Sequence, residues 1–328
     1  MEKTNQNCSC YEKTINALSA EIKVVTFQRK LLMCTYLFSE KIRKIELDQS
    51  SGASQIARNA LDVLRFFAQT SKSETNRGFL DTFNELGRLL FNARPNMAPV
   101  QNLVAQIVYE VNALQENDLV EVRKFAASRI DALSKQSMTA FRKTAEFAAT
   151  LIGDSDCVAT CSHSSTVCET FRLAKNLGKR FKVFVAESRS DDGKFRYGQV
   201  VAKFLESIGV SVEVFPDNEI YKYVPRTNYV LLGADSVFCD GSVINGSPTY
   251  GVAVEAEDCN VPFYSVCETT KANILSYLGK NVDAKKGFDL VPANLIKGIV
   301  TEKGILYPSD LVWIMEEKSR FYEIFNIK

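Results

Sequence analysis

The sequence has no excess of charge of either sign and no long apolar run. Its 328 residues carry 40 lysines and arginines against 39 aspartates and glutamates, a formal net charge of +1. Direct binding to nucleic acid requires a concentrated basic surface, which this balance does not favour. No run of 18 or more apolar residues is present, and the polar N-terminal residues lack the apolar core of a secretion signal. We therefore predict a cytoplasmic protein that binds neither membrane nor nucleic acid directly.

Two nucleotide-binding motifs are also absent. No Gly-x-Gly-x-x-Gly follows a predicted strand, which argues against a dehydrogenase, and no Gly-x-x-x-x-Gly-Lys-Ser/Thr loop is present for GTP hydrolysis. The nine cysteines lack the paired spacing of zinc ligands, and most lie in apolar runs, as reduced buried cysteines do. Cys8-Ser9-Cys10 lies in a polar N-terminal segment that we expect to be a tail. The sequence thus predicts no cofactor and no metal site.

Residues 1–150 are predicted to form a helical domain. Apolar side chains recur at helical spacing over Thr14–Ile45, and Ser50-Ser51-Gly52 interrupts this pattern. Arg94-Pro95 marks a turn, because the residue before a proline is disfavoured in a helix. The further predicted helices are Gln55–Gln69, Gly78–Phe91, Val100–Leu114 and Leu119–Thr150.

Residues 151–328 show a different pattern, in which short apolar runs alternate with helical segments. Strands alternating with helices predict a mainly parallel sheet covered by helices on both faces. The tail Leu311–Lys328 is predicted to be helical, and its aromatic residues pack either on this chain or on a partner. The predicted strands are Cys157–Ala159, Val183–Ala186, Val212–Phe215, Tyr229–Leu232 and Phe263–Val266.

Tyr229–Lys271 contains the most informative group of polar residues. Its first predicted strand ends on Gly233-Ala234-Asp235, and a carboxylate at the end of a buried strand lies where open α/β sheets bind their ligands. The later polar positions follow a turn or the next predicted strand. We therefore expect four side chains to meet at the carboxyl edge of one sheet: Asp235, Asn245, Thr249 and Lys271.

The order of several motifs in this segment resembles that of one protein superfamily. The motifs are GAD, DGSV, Asn245, Thr249, and VPFY followed by Lys271. That superfamily joins the alpha, beta and delta subunits of translation initiation factor 2B with ribose-1,5-bisphosphate isomerase and methylthioribose-1-phosphate isomerase. The stretches DCVATCSHSSTV, FKVFVAESR and IVTEKGILYPS carry the resemblance over about residues 85–310. It implies a helical N-terminal domain followed by a Rossmann-like α/β domain, with oligomers formed through the latter.

In the isomerases that this chain resembles, one aspartate and one cysteine perform the chemistry. Asp235 matches the aspartate of the GAD motif. Aligned on Thr160, the cysteine of the family's Thr-His-Cys-Asn loop is replaced by Ser162, whose hydroxyl is far less acidic than a thiol. A shift of one residue would bring Cys161 to that position. If the chain is an enzyme, Ser162 or Cys161 is therefore the candidate acid.

The resemblance also implies positions that bind a phosphorylated ligand. Two expected cations are missing, since Ser51 precedes Gly52 where the isomerases have arginine, and Gly246 follows Asn245 where the family commonly has lysine. An arginine fork suits a phosphate, and the backbone N–H groups near a helix start suit an anion. The candidate ligand-binding residues are Gly52, Arg94, Glu187, Arg189, Asn245, Thr249 and Lys271.

Each charged candidate also has a purely structural interpretation. Arg94 and Arg189 are equally suited to ion pairs between the domains, and Asp235 to a hydrogen bond that holds a loop. Lys271 is also compatible with an exposed surface position. His163, the single histidine, lies in the predicted site loop, where it is either a proton carrier or a polar residue without chemistry.

Two functions follow from the resemblance, and we favour the first. The first is a non-catalytic factor 2B-like subunit with a regulatory role in guanine nucleotide exchange on initiation factor 2. Its expected partners are identical or related subunits, the alpha subunit of initiation factor 2, and a sugar phosphate. The alternative is a sugar-phosphate aldose–ketose isomerase with Asp235 as the base. The absent thiol, arginine and lysine disfavour the alternative, because each stabilises the transition state.

Overall fold

A computed structural model describes residues 38–116, 118–190 and 192–327 of the chain. Cys8 and Cys10, and the first predicted helix up to residue 37, lie outside the described residues. The helical part of the chain comprises residues 38–47 (α1), Ala53–Thr70 (α2), Asn76–Ala93 (α3), Ala98–Asn112 (α4) and Leu119–Leu151 (α5). Each predicted helix from α2 to α5 is therefore present, with its ends within two residues of the prediction.

Local sequence signals explain where these helices begin. The Thr75 side chain accepts a hydrogen bond from the Gly78 N–H at 3.1 Å, and the Asp118 side chain accepts one from the Val120 N–H at 2.7 Å. Both satisfy backbone donors that have no partner inside the helix. In α4, Pro99 stands in the first turn, where its missing N–H costs nothing.

An aromatic cluster fills the core of the helical part. The rings of Phe67 and Phe79 stack at 5.3 Å between centroids, and those of Phe79 and Phe83 stack at 5.7 Å. All three side chains are buried, and each large aromatic ring removes a substantial apolar area from water. The cluster joins α2 to α3 and belongs to a hydrophobic core that continues into the second half of the chain, where it includes Leu232 and Tyr322.

The second half of the chain forms a seven-stranded sheet. Its order is β10-β9-β7-β4-β1-β2-β3, and all neighbours are parallel except the hairpin β9–β10. Its strands are Cys157–Thr160 (β1), Lys182–Ala186 (β2), Ser211–Phe215 (β3), Tyr229–Leu232 (β4), Phe263–Val266 (β7), Gly298–Thr301 (β9) and Gly304–Leu306 (β10). The predicted fold class, a helical region followed by a mainly parallel α/β domain, is confirmed.

The helices of this domain alternate with the strands, as the sequence predicted. The principal ones are Ser165–Asn176 (α6), Tyr197–Ser207 (α7), Ile220–Tyr223 (α8), Thr249–Asp258 (α9), Ile274–Tyr277 (α10) and Val312–Ser319 (α11). None of the helices in the described ranges is both long and apolar enough to cross a membrane.

A second, three-stranded antiparallel sheet was not predicted. It consists of Ser236–Val237 (β5), Val243–Gly246 (β6) and Phe288–Val291 (β8), in the order β5-β6-β8. The polar turn at residues 240–242 joins β5 to β6, and Asp240 accepts hydrogen bonds there from the N–H and hydroxyl of Ser242. A two-residue strand is too short to show any periodicity, so the sequence pattern could not indicate it.

The order of the strands creates a crevice between β1 and β4. The chain proceeds from β1 towards β2 on one side, and from β4 towards β7 on the other. The loops that follow β1 and β4 therefore diverge, and the space between their carboxyl ends is where open α/β sheets bind ligands.

Polar and aromatic contacts join the two halves of the chain. Glu268, which follows β7 and is 1% exposed, accepts hydrogen bonds from the Ser54 hydroxyl at 2.6 Å and the Thr166 hydroxyl at 2.9 Å. The C-terminal tail packs on the helical part, where Phe91 contacts Tyr322 and Phe325 with centroids 5.4 and 4.8 Å apart. Phe321 and Tyr322 of the tail are thus buried against this chain's own helices, whereas Trp313 is 47% exposed.

A close approach of α7 to the end of β2 generates a stability prediction. A Cβ at Gly198 would lie 2.1 Å from the backbone oxygen of Ala186, which cannot move without shifting the strand. We expect Gly198→Ala to lower the free energy of unfolding by roughly 3 kcal/mol, as overpacking against fixed atoms does. Chemical denaturation of both proteins measures this difference.

Gly251→Ala is the matched control, because Gly251 also lies in a helix but is exposed. Its Cβ would be 3.4 Å from a methyl group of Ile220, an ordinary contact. This variant should be unchanged or more stable by up to about 1 kcal/mol, since alanine favours a helix over glycine. Equal stability of the two variants would contradict the proposed packing of α7.

Candidate functional site

The loop after β1 packs its hydroxyl groups onto three glycines at the crevice. A Cβ at Gly233 would lie 2.6 Å from the Ser164 hydroxyl oxygen, and a Cβ at Gly246 would lie 2.5 Å from that of Ser162. A Cβ at Gly52, the residue before α2, would similarly lie 2.8 Å from the oxygen of Ser165. The loop and the first residue of α6 therefore pack closely against three backbone segments that lack side chains, and Gly52 is one of these neighbours.

Asp235 lies directly after β4, at the mouth of this crevice. Its backbone N–H donates to the Ile244 carbonyl at 2.8 Å, and its backbone carbonyl accepts from the Ala98 N–H at 3.1 Å. Its side chain is half-buried, and no described residue donates a hydrogen bond to the carboxylate. The backbone is thus held from two sides while the carboxylate remains available to a ligand.

Burial and two cations determine the charge of Asp235. Loss of water raises the pKa of the carboxyl above its ordinary value, and the positive charges of Lys271 and Arg94 oppose this rise. Lys271 is 6% exposed, yet no carboxylate of the described residues lies within ion-pair distance of its ammonium group. Asp235, Lys271 and Arg94 therefore act on one another electrostatically, as the sequence predicted for the first two.

Arg94 also has a structural role in the helical part. Its Nη1 donates to the carbonyls of Glu46 at 3.0 Å and Asp48 at 2.8 Å, at the end of α1. Burial lowers the pKa of the guanidinium, while the charges of Asp235 and Asp48 oppose that shift. One nitrogen therefore stabilises a helix end, and the charge of the group still acts on Asp235.

Asn245 and Thr249 form a buried hydrogen-bonded pair rather than an open binding surface. The Asn245 amide donates to the Thr249 hydroxyl oxygen at 2.9 Å, and this hydroxyl donates to the Gly246 carbonyl at 2.6 Å. The Cys161 sulphur lies 3.4 Å from the same oxygen. Because the only proton of the threonine hydroxyl is already donated, the contact requires Cys161 to remain a protonated thiol.

Cys161 and Ser162 differ in their exposure. Cys161 is buried, and burial raises the pKa of its thiol to about 12. Ser162 is only half-buried, has a left-handed backbone with φ of 59°, and donates its N–H to the Ser188 hydroxyl at 2.7 Å. His163 follows it, with a pKa lowered by burial. Ser162 is thus the member of the pair that lies at the crevice.

Glu187 binds two arginines at the end of β2. It is buried, and its two oxygens lie 2.5 Å from Arg189 Nε and 2.5 Å from Arg196 Nη1. Each arginine remains about half exposed, so further N–H groups of both guanidinium groups face solvent. Two of the candidate ligand-binding residues, Glu187 and Arg189, therefore form an ion pair with each other within the α/β domain, and the arginine presents further donors outward.

The sequence reasoning missed Arg196 and Tyr197, which lie at the start of α7. Burial raises the pKa of Tyr197, whereas the charge of Arg94 lowers it and that of Asp235 raises it again. Tyr197 thus faces the charged group around Asp235. The sequence shows an arginine and a tyrosine at the start of a predicted helix. It does not indicate that the segment between β2 and α7 places these two residues near the crevice.

Two further observations concern metal binding and a groove in the described part of the chain. They include no group of three or more histidine, cysteine, aspartate or glutamate side chains arranged to hold a metal ion. A groove of about 570 Å³ lies between α5 and the β9–β10 turn and is bordered by Lys135, Lys143 and Lys303, and by Glu302, which accepts a hydrogen bond from the Thr269 N–H at 3.0 Å.

Most of the chain matches a known protein family. The model of the initiation factor 2 subunit family matches residues 49–287, well over half of the chain. Ribose 1,5-bisphosphate isomerase of Pyrococcus furiosus is 28% identical, over 85% of this chain and 92% of its own length. A putative translation initiation factor eIF-2B subunit 2-like protein of Pyrococcus abyssi is 30% identical, over 82% of this chain and 96% of its own length.

Solved structures share the fold. The translation initiation factor eIF-2B of Pyrococcus horikoshii has a TM-score of 0.70 at 27% identity and covers 83% of this chain and 98% of its own. A chain of the tetrameric eIF2B-beta2-delta2 complex from C. thermophilum has a TM-score of 0.72 at 21% identity, over 87% of this chain and 95% of its own. The resemblance inferred from the sequence is confirmed: the chain belongs to the initiation factor 2 subunit family.

Proposed function

We propose that this chain is a non-catalytic, factor 2B-like subunit that binds a sugar phosphate at the crevice between β1 and β4. The observation that carries the proposal is the absence of a usable thiol in the loop after β1. Ser162 occupies the position of the isomerases' cysteine, and the neighbouring thiol of Cys161 is buried against Thr249. A serine hydroxyl is too weak an acid to replace a thiol near neutral pH.

The charges at the crevice support a phosphorylated ligand. Lys271 and Arg94 supply two positive charges, and Arg189 and Arg196 present further donors at the neighbouring strand end. Asp235 offers an acceptor for a sugar hydroxyl between them. A phosphate beside the cations and a hydroxyl on the carboxylate would satisfy both kinds of group in one ligand.

The same proposal includes association with other subunits. Three large apolar side chains, Tyr221, Tyr250 and Leu290, are 45% or more exposed on α8, α9 and β8. Exposed apolar groups on one side of a domain commonly mark protein contacts. We propose that identical or related subunits bind through this α/β domain in the cytoplasm, and that the alpha subunit of initiation factor 2 is a further partner.

A sugar-phosphate aldose–ketose isomerase is the second candidate, and the comparisons favour it modestly. Relatives matching most of the chain carry the name ribose 1,5-bisphosphate isomerase. Asp235, whose pKa is raised by burial, also suits a general base, because a base works best with a pKa near the working pH. In this case Ser162 would have to serve as the acid, since Cys161 is enclosed.

The two candidates differ in turnover. We expect the purified chain to bind ribose 1,5-bisphosphate in calorimetry, and Lys271→Met to weaken that binding by about tenfold or more, as loss of a charged hydrogen bond does. No conversion of ribose 1,5-bisphosphate should be detected by NMR. A chain that lacks the general acid should lose on the order of 10²–10⁴-fold in rate.

Asp235→Asn is the control for that experiment. Conversion by the wild type that disappears in Asp235→Asn would establish the isomerase and refute the binding-subunit proposal. Absence of binding to ribose 1,5-bisphosphate, methylthioribose 1-phosphate and hexose phosphates would refute the ligand part of the proposal. Co-purification of initiation factor 2 would then test the partner part independently.

The pKa of Asp235 generates a prediction for stability against pH. Since burial raises this pKa in the folded state, ionisation of Asp235 costs the folded chain free energy. The folded chain keeps its full stability below the ordinary carboxyl pKa near 3.8, where Asp235 is protonated in both the folded and the unfolded state. It loses stability as pH rises from there to the raised pKa of the folded state, because the unfolded chain ionises first. Asp235→Asn should therefore be more stable than wild type at pH 7, and equal to it near pH 4.

Urea unfolding of both proteins between pH 4 and pH 8 measures this difference. Asp289→Asn is a suitable comparison, because Asp289 is a carboxylate near the same sheets that already accepts hydrogen bonds from Ser247 and Tyr250. It should lose stability at neutral pH rather than gain it. A constant difference between wild type and Asp235→Asn at every pH would contradict the raised pKa.

A further inference from the structure

Lys271 lies in a short turn whose backbone is held by a residue of the helical part. The turn Thr269–Lys271 follows β7. The Asn102 amide of α4 donates one hydrogen bond to the Thr270 carbonyl at 2.7 Å and a second to the Ala272 carbonyl at 2.8 Å. These two carbonyls stand immediately before and after Lys271, so one amide group holds the backbone on both sides of it.

The C-terminal tail fixes the orientation of Asn102. The Tyr322 hydroxyl donates to Asn102 Oδ1 at 2.6 Å, and both side chains are buried. Both N–H donors and the oxygen of the amide are therefore engaged. A rotated amide would place its oxygen against the Thr270 and Ala272 carbonyls, so this arrangement has a single favourable orientation.

The N-terminal end of α4, one turn before Asn102, also holds Asp235. Ala98 lies one helical turn before Asn102, and its N–H donates to the Asp235 carbonyl. The first turn of α4 thus contacts the loop of the carboxylate and, four residues later, the turn of the ammonium group. The separation between Asp235 and Lys271 is set by one rigid helix rather than by two independent loops.

We infer that Asn102 is a positioning residue for Lys271. Through its hydrogen bond to Asn102, Tyr322 links the C-terminal tail to the position of Lys271 at the crevice. The inference rests on the proposed function, in which Lys271 binds the phosphate group of the ligand. Neither residue touches the ligand. Each acts by keeping the Lys271 ammonium directed at the crevice, so that binding needs no further ordering of the turn.

The first experiment needs no ligand. The full-length chain is treated with a trace of acetic anhydride, and the acetylation rate of Lys271 is measured by mass spectrometry relative to exposed Lys135. Lys271 should be protected in the wild type, because it is 6% exposed. We expect Tyr322→Phe to raise its relative rate several-fold and Asn102→Ala to raise it further.

Tyr229→Phe is the matched control. It also removes a tyrosine hydroxyl, which donates to Asp156 at 2.7 Å, but at the opposite end of β4. It should lower the unfolding temperature without changing the relative rate at Lys271. Equal rates at Lys271 in the wild type and both site variants, or an equal rise in Tyr229→Phe, would overturn the inference.

Calorimetry with ribose 1,5-bisphosphate separates this inference from the function on which it rests. Tyr322→Phe should weaken binding on the order of fivefold, as loss of one hydrogen bond does, while Tyr229→Phe binds as the wild type. Unchanged affinity in Tyr322→Phe would overturn the inference and leave the function standing. A wild type that binds no sugar phosphate would refute the function, and the acetylation rates would still decide whether Asn102 positions Lys271.

Discussion

The contact of the first two turns of α4 with the loops after two strands holds the candidate site together. The N–H of Ala98 meets the loop after β4, and the amide of Asn102 meets the turn after β7. Helix N-termini have free N–H donors, so this end of α4 is chemically suited to hold a strand-end loop. The helical part is therefore a structural component of the site, because the α/β domain alone would leave these backbone groups without partners.

Charge at the crevice is balanced within a small group. A half-buried carboxylate, a buried lysine and a half-buried arginine would each be costly alone, and together they offset one another. The carboxylate of Asp235 and the ammonium of Lys271 nevertheless lack direct partners among the described residues. Both groups are therefore available to a ligand that carries a hydroxyl group for the carboxylate and a phosphate group for the ammonium.

The fold was largely predictable because its long elements have strong periodicity. Helices α2 to α5 and the five predicted strands of the large sheet follow their apolar patterns closely, whereas β9 and β10 were not among the predicted strands. The small antiparallel sheet was not predictable, since β5 has two residues and its pairing with β6 depends on tertiary contacts. The sequence identified Asp235 and Lys271 through their positions after strands. It could not show that Cys161 faces the core, or that Arg196 and Tyr197 return to the crevice.

The contact between Ser162 and Gly246 makes these two positions depend on each other. A Cβ at position 246 would lie 2.5 Å from the Ser162 hydroxyl oxygen and 3.3 Å from its Cβ, so a larger residue there requires the Ser162 side chain to turn away first. The effects of substitutions at positions 162 and 246 are therefore not expected to add, because the two residues share one contact.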